Sequence, residues 1–177
     1  LETLSGKKIT DDALTQSICL YNENRKSIEE LYDLRSERPH QVSTYDVYLL
    51  MRASNILEVT EHTKMLRDYM GAVIAKTYPS RDYVRIVVSG AFCEQPPLPL
   101  IRALEGSGCY IVDDDWVLGN RYILGDIHCD PDPLGALADA YISNTVSTAS
   151  RYETSETKGK FLVEQVKKRR ADGRNFF

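Results

Sequence analysis

The position best placed to do chemistry is Cys93, in the run Ser89-Gly90-Ala91-Phe92-Cys93-Glu94-Gln95-Pro96-Pro97. It falls between a β-branched stretch and the start of a helix, where the positive end of the helix dipole favours a thiolate, the form that binds a metal or attacks a substrate. From the residues alone three readings stay open: metal ligand, nucleophile and packed structural thiol. Glu94 reads either as a proton donor or supporting group beside the sulfur, or as a carboxylate complementing the helix start. Ser89 and Gly90 open the same loop and, with Asp114, are candidate substrate-binding positions. Pro96 and Pro97 remove two backbone donors and G-x-G-x-x-G is absent, so a dinucleotide-binding loop is disfavoured.

The other candidates carry weaker signals. Asp113, Asp114 and Asp115 could coordinate a hard cation or orient a substrate, but three adjacent acids at a strand end are expected to form a solvated turn with one helix-capping member. His128-Cys129-Asp130 looks like a ligand cluster, yet adjacent residues converge poorly on one ion, and Pro131 and Pro133 suggest an exposed loop. The four cysteines contain no C-x-x-C clip, so a local zinc or iron–sulfur site is disfavoured, and Cys19 and Cys109 are expected to be small buried hydrophobes. His40 and His62 are expected at the surface.

Two kinds of element must position these residues. Residues 1–80 read as a helical segment. Thr10 caps a long amphipathic helix in which Leu14, Ile18, Tyr21, Ile28, Leu31 and Tyr32 recur at helical spacing up to Pro39; Ser43 and Thr60 start two more. Residues 81–177 read as a partial α/β domain. VRIVVSG is a short apolar run of the kind that forms a strand buried on both faces, Pro97 begins a Gly-ended helix, and CYIVDDD is a second strand, together a parallel βαβ unit over residues 84–115. PLGALADAYISN and KGKFLVEQVKKRRADG are helical, KKRR being a solvated face, and the strand that should follow is expected to be incomplete.

Composition narrows the classes further. With 22 Lys plus Arg against 26 Asp plus Glu, a net charge of -4 and 42% hydrophobic residues, the 177-residue chain has material for a packed core and lacks the positive face that nucleic acid requires. No apolar stretch approaches the roughly 18 residues of a membrane span, and the opening residues LETLSGKKITDD have neither a basic n-region nor an apolar h-region. A cytoplasmic protein with no nucleic-acid or membrane partner is expected.

The segments LETLSGKKITDDALTQSICLYNENRKSIEELYDLR and VRIVVSGAFCEQPPLPLIRALEGSGCYIVDDDW, followed by Arg121-Tyr122, resemble the 2-hydroxyacyl-CoA dehydratase D family. The resemblance runs from Leu1 to Gly173, and the wording CEQPP and CYIVDDDW is nearest to the benzoyl-CoA reductase side of that family. It implies an α/β fold in which a helical segment, the inter-domain helices of a full subunit, precedes a Rossmann/flavodoxin-like parallel βαβ domain. It implies a [4Fe-4S] cluster with Cys93 as one ligand and the others outside this segment, so that the segment alone should not turn over. It also implies an anaerobic route in which low-potential single electrons reach an aromatic or 2-hydroxyacyl-CoA thioester, a homologous second subunit, and an ATP-hydrolysing iron–sulfur activator. The rival reading is a non-catalytic flavodoxin-like binding or oligomerisation module whose thiols are all structural.

Overall fold

A computed structural model describes residues 1–90, 95–117, 121–129, 131–146 and 155–176. In chain order the elements are α1 (Glu2–Ser5), α2 (Asp11–Glu37), α3 (Thr44–Ala53), α4 (Val59–Ile74), β1 (Val84–Ser89), α5 (Leu98–Gly106), β2 (Cys109–Asp114), α6 (Pro133–Ser143), α7 (Ser155–Lys168) and β3 (Gly173–Phe176). The helical segment followed by an α/β unit is therefore present. The long helix starts as its sequence dictates: Thr10 adopts an extended backbone and its hydroxyl accepts from Ala13 N–H at 3.2 Å.

Two other helix starts differ from expectation. Ser43 occupies the cap position of α3 without using its side chain; Glu105, from α5, accepts from Thr44 N–H at 2.8 Å instead. A carboxylate brought by tertiary packing thus does the work of a local cap and ties α3 to α5. α4 begins at Val59, one residue before Thr60, because the Glu58 carboxylate accepts from Thr60 N–H at 2.9 Å. An acid at a helix start also complements the dipole, so it competes well with the neighbouring threonine.

The described strands form one parallel sheet in the order β2-β1-β3. β1 pairs with β2 from Val84↔Cys109 to Val88↔Asp114, which confirms the βαβ unit around α5. The register slips between Ile86 and Val87, so β2 carries one extra residue, Val112, just before its acidic end. Such a bulge bends the strand and re-aims the side chains that follow it. Gly108 sets the entry to β2: at φ 91° it occupies a conformation that side chains disfavour, and its carbonyl accepts from Val84 N–H at 3.1 Å. β3 follows α7 and pairs with the other side of β1, from Ile86↔Gly173 to Ser89↔Phe176.

One hydrophobic cluster joins helices and sheet. Ile28, Leu31 and Tyr32 of α2, Val47, Tyr48 and Met51 of α3, and Leu66, Met70 and Val73 of α4 pack with Ile86, Val88, Ile101, Ile111 and Trp116. Each fully buried aliphatic side chain here contributes about 2 kcal/mol relative to exposure. A smaller cluster of Ile18, Ile127 and Ala140 fastens the first half of α2 to α6. Tyr21, on the expected apolar stripe, belongs to neither cluster and is 53% exposed. Among the described residues no helix is long and apolar enough to cross a membrane.

Candidate functional site

β1 lies between β2 and β3, and the chain leaves it toward one neighbour before returning to the other. Its carboxyl end is thus where an open parallel sheet leaves a crevice for ligands. Ser89 and Gly90 stand there. Asp115, just beyond β2, reaches across to both: Ser89 Oγ donates to Asp115 Oδ2 at 2.6 Å, and Gly90 N–H lies 3.2 Å from each carboxylate oxygen. Burial pushes the Asp115 carboxyl above its ordinary value, with the bonds from Ser89 and Gly90 opposing that rise. On the far side of the Cys93 run, Gln95 Oε1 accepts from Val117 N–H at 3.2 Å. Val117 has φ 49°, an uncommon conformation for a β-branched residue and one that only surrounding structure can hold. Cys93 and Glu94 themselves lie outside the described residues.

The turn that carries Asp115 and Val117 is locked from behind. Asp113 and Asp114, expected in a solvated turn, are instead buried, at 3% and 6% exposure. Arg35 Nη1 donates to Asp114 Oδ2 at 2.7 Å and Tyr32 Oη donates to Asp114 Oδ1 at 3.2 Å. Arg121 Nη1 donates to Asp113 Oδ1 at 3.0 Å and to the Asp114 carbonyl at 2.8 Å, and Arg169 Nε donates to Asp113 Oδ2 at 2.9 Å. Arg169 also donates to Asp33 and, at 3.1 Å, to Glu29. Asp114 Oδ1 accepts from Trp116 N–H at 3.0 Å, which fixes the turn itself.

Electrostatics explain why this burial is tolerated. Burial alone would push the Asp113 carboxyl up, but Arg121, Arg169 and Arg35 outweigh it and hold it at about 2. Burial likewise lowers and Asp113, Tyr32 and Asp114 raise the Arg121 guanidinium, with the net shift upward. The Tyr32 phenol is pushed well up, chiefly by burial, and its ring lies 3.6 Å from the Arg121 guanidinium carbon and 4.3 Å from that of Arg35. The network stitches α2, the end of β2 and the end of α7 together. Sequence reasoning missed it because its members are distant in the chain, and KKRR conceals Arg169, which is 2% exposed. The available signal was Arg35, a charge three and four residues beyond Tyr32 and Leu31 on the buried stripe of α2.

The remaining candidates separate from this edge. Cys109 pairs with Val84 at the amino end of the sheet, the edge opposite Ser89. Cys129 is half-buried against the small cluster, and Cys19, expected to be buried, is exposed on the outer face of α2. His128 is exposed and lines an open depression of about 370 Å³ with Asp126, Asp132 and Asp139; Asp130 lies outside the described residues. His40 is half-buried, whereas His62, expected at the surface, is 1% exposed. Asn24 Nδ2 donates to His62 Nδ1 at 2.9 Å, leaving Nε2–H to donate to the Leu50 carbonyl at 3.0 Å. Burial lowers its pKa, partly opposed by the Leu50 bond, so this imidazole is a neutral bridge between α2, α3 and α4. Among the described residues no three His, Cys, Asp or Glu side chains could hold a metal ion. The described residues by themselves do not supply the several thiolates that a [4Fe-4S] cluster needs at one point, and Cys93 is outside them.

Relatives of known identity place the chain in a family. The profile of the family described as 2-hydroxyglutaryl-CoA dehydratase, D-component, matches residues 1–176. The chain is 49% identical over 174 residues to the C-type benzoyl-CoA reductase subunit of Thauera aromatica, covering 98% of this chain and 45% of that protein. It is 28% identical to the (R)-phenyllactyl-CoA dehydratase beta subunit of Clostridium sporogenes, over 100% of this chain and 46% of the relative. With the beta subunit of (R)-2-hydroxyglutaryl-CoA dehydratase from Acidaminococcus fermentans the identity is 26%, covering 98% and 46%. The chain thus spans a little under half the length of each of these relatives.

Proposed function

This chain belongs to the 2-hydroxyglutaryl-CoA dehydratase D-component family, and from that membership we propose that the protein it represents is a subunit acting on an acyl-CoA thioester, with benzoyl-CoA reduction as the reaction. The 49% identity to a benzoyl-CoA reductase subunit, against 28% and 26% to dehydratase subunits, carries the choice of ring reduction. Low-potential electrons delivered singly are the chemistry a [4Fe-4S] cluster supplies when bound. Cys93 contributes one ligand in this reading, with the remaining ligands outside these 177 residues. The partners are a homologous second subunit and an ATP-hydrolysing iron–sulfur activator.

The part played by the described residues is positioning. Ser89 and Gly90, held by Asp115, present the start of the Cys93 run at the carboxyl edge of the sheet. The arginine network holds Asp113 and Asp114 buried behind that edge and fixes the turn that follows them. The test is turnover of the full-length subunit assembled with its partner and activator, without oxygen. Benzoyl-CoA should be consumed with reduction of its ring, while 2-hydroxyacyl-CoA thioesters should not lose water. Dehydration without ring reduction would overturn the choice of reaction.

A further inference from the structure

Helix α6 is apolar on two faces, and the described residues cover one of them. Its inner side, Ala136, Leu137 and Ala140, packs in the small cluster with Ile18 and Ile127. On its outer side Leu134, Ala138, Tyr141 and Ile142 recur at helical spacing, and the three large side chains among them are between 55% and 67% exposed. Asp139 is the single charge among the eleven residues. A helix that is apolar all round belongs between two layers of structure, not on a surface.

The helix is also firmly held. Asn22 of α2 accepts from Ile127 N–H and donates to the Ile127 carbonyl, both at 3.0 Å, and Arg25 Nε donates to the Gly125 carbonyl at 3.2 Å. After the helix, Val146 N–H donates to the Tyr122 carbonyl at 2.9 Å, and the Tyr141 ring leans on that of Tyr122 with centroids 6.0 Å apart. The outer face is therefore preset in position, which lowers the ordering cost of covering it.

We propose that the outer face of α6 is an intrachain docking surface, covered in the complete subunit by an apolar part of the same polypeptide outside residues 1–177. These residues correspond to 45% and 46% of the length of the benzoyl-CoA reductase and (R)-phenyllactyl-CoA dehydratase subunits, so chain of that extent is at hand to cover it. The width of the face favours this occupant over a second copy. Four residues of one helix are far fewer than the roughly 20 per side that separate subunits use to stay associated. A tethered segment arrives at an effective concentration of about a millimolar and needs less contact. The inference does not depend on the reaction, since a dehydratase subunit would need the same face covered.

The experiment is hydroxyl-radical footprinting of the full-length subunit, read by mass spectrometry with the buried Tyr32 as reference. Tyr141 should resist labelling as Tyr32 does, in the subunit alone and at every protein concentration. Protection that appears only with the homologous second subunit, or only as concentration rises, assigns the face to that subunit or to a second copy; labelling throughout leaves it in water. Each of these results overturns the proposal. Benzoylphenylalanine placed at position 141 or, separately, at 134 should cross-link within one polypeptide to a peptide outside residues 1–177, and cross-links to another chain, or only within these residues, overturn it as well. If neither substituted subunit folds, the footprint of the parent decides alone.

Discussion

The protein carries two groups of acidic side chains, and they have opposite fates. Asp113, Asp114 and Asp115 at the end of β2 face inward, where Arg35, Arg121 and Arg169 converge on the first two and the chain of β1 on the third. Asp126, Asp132 and Asp139 surround an open depression beside His128, where Lys26 pairs with Asp126 at 2.7 Å from a largely solvated position. The number of carboxylates is the same. What separates them is the bulge at Val112, which turns the first group under helix α2, and the cations that α2 and α7 bring to it. Acid count therefore says little about role; burial among matched cations lets a carboxylate tie distant elements together, whereas the acids around the depression make local or solvent-screened contacts.

Removing a member of the buried group should give the largest effect. Asp113→Ala leaves Arg121 and Arg169 facing an empty place in a low-dielectric setting, and should cost about 3–5 kcal/mol in denaturant unfolding of the full-length subunit. A loss below about 1 kcal/mol would mean that water reaches the arginines and that the two acidic groups are alike.

Acid should reproduce part of that loss without mutation. The folded Asp113 carboxyl titrates at about 2, below its ordinary value near 3.8, so its contribution is fully present above the ordinary value and is lost as pH falls toward 2. The contribution is roughly 2 kcal/mol, and the fall between pH 4 and 2 should be reduced in Asp113→Asn. His62 acts at higher pH: its lowered value means that stability declines as pH drops through the ordinary histidine range near 6.5, and His62→Gln should flatten that limb.

The group around the depression should respond weakly. Asp132→Ala removes the side chain that accepts from Gly135 N–H at the start of α6 and should cost about 1 kcal/mol. Asp126→Ala should leave the unfolding midpoint unchanged, since its lysine partner is solvated. A substantial loss at Asp126 would break the contrast from the other side.

The same contrast explains what could be read from the sequence. The βαβ unit, the Thr10 cap and the strand-to-helix position of the Cys93 run follow from local signals, namely β-branched runs, prolines and glycines at element ends. The burial of His62, the exposure of Cys19 and the arginine network depend on which face of α2 meets the sheet. Those contacts join residues as far apart as Asp33 and Arg169 or Arg35 and Asp114. Periodicity marks a stripe as apolar, but it does not reveal that Asn24 and Arg35 on that stripe have partners waiting across the core.

If the carboxyl edge of β1, through Cys93, is the working edge of this protein as proposed, the iron and sulfide content of the full-length subunit, purified without oxygen with its partner, is the most direct measurement of it. Cys93→Ala should lose the cluster, while Cys109→Ala, at the opposite edge, and Cys129→Ala, in the small cluster beside α6, should keep it. Full iron in Cys93→Ala together with its loss in Cys109→Ala would contradict the proposal and move the site to the other edge of the sheet.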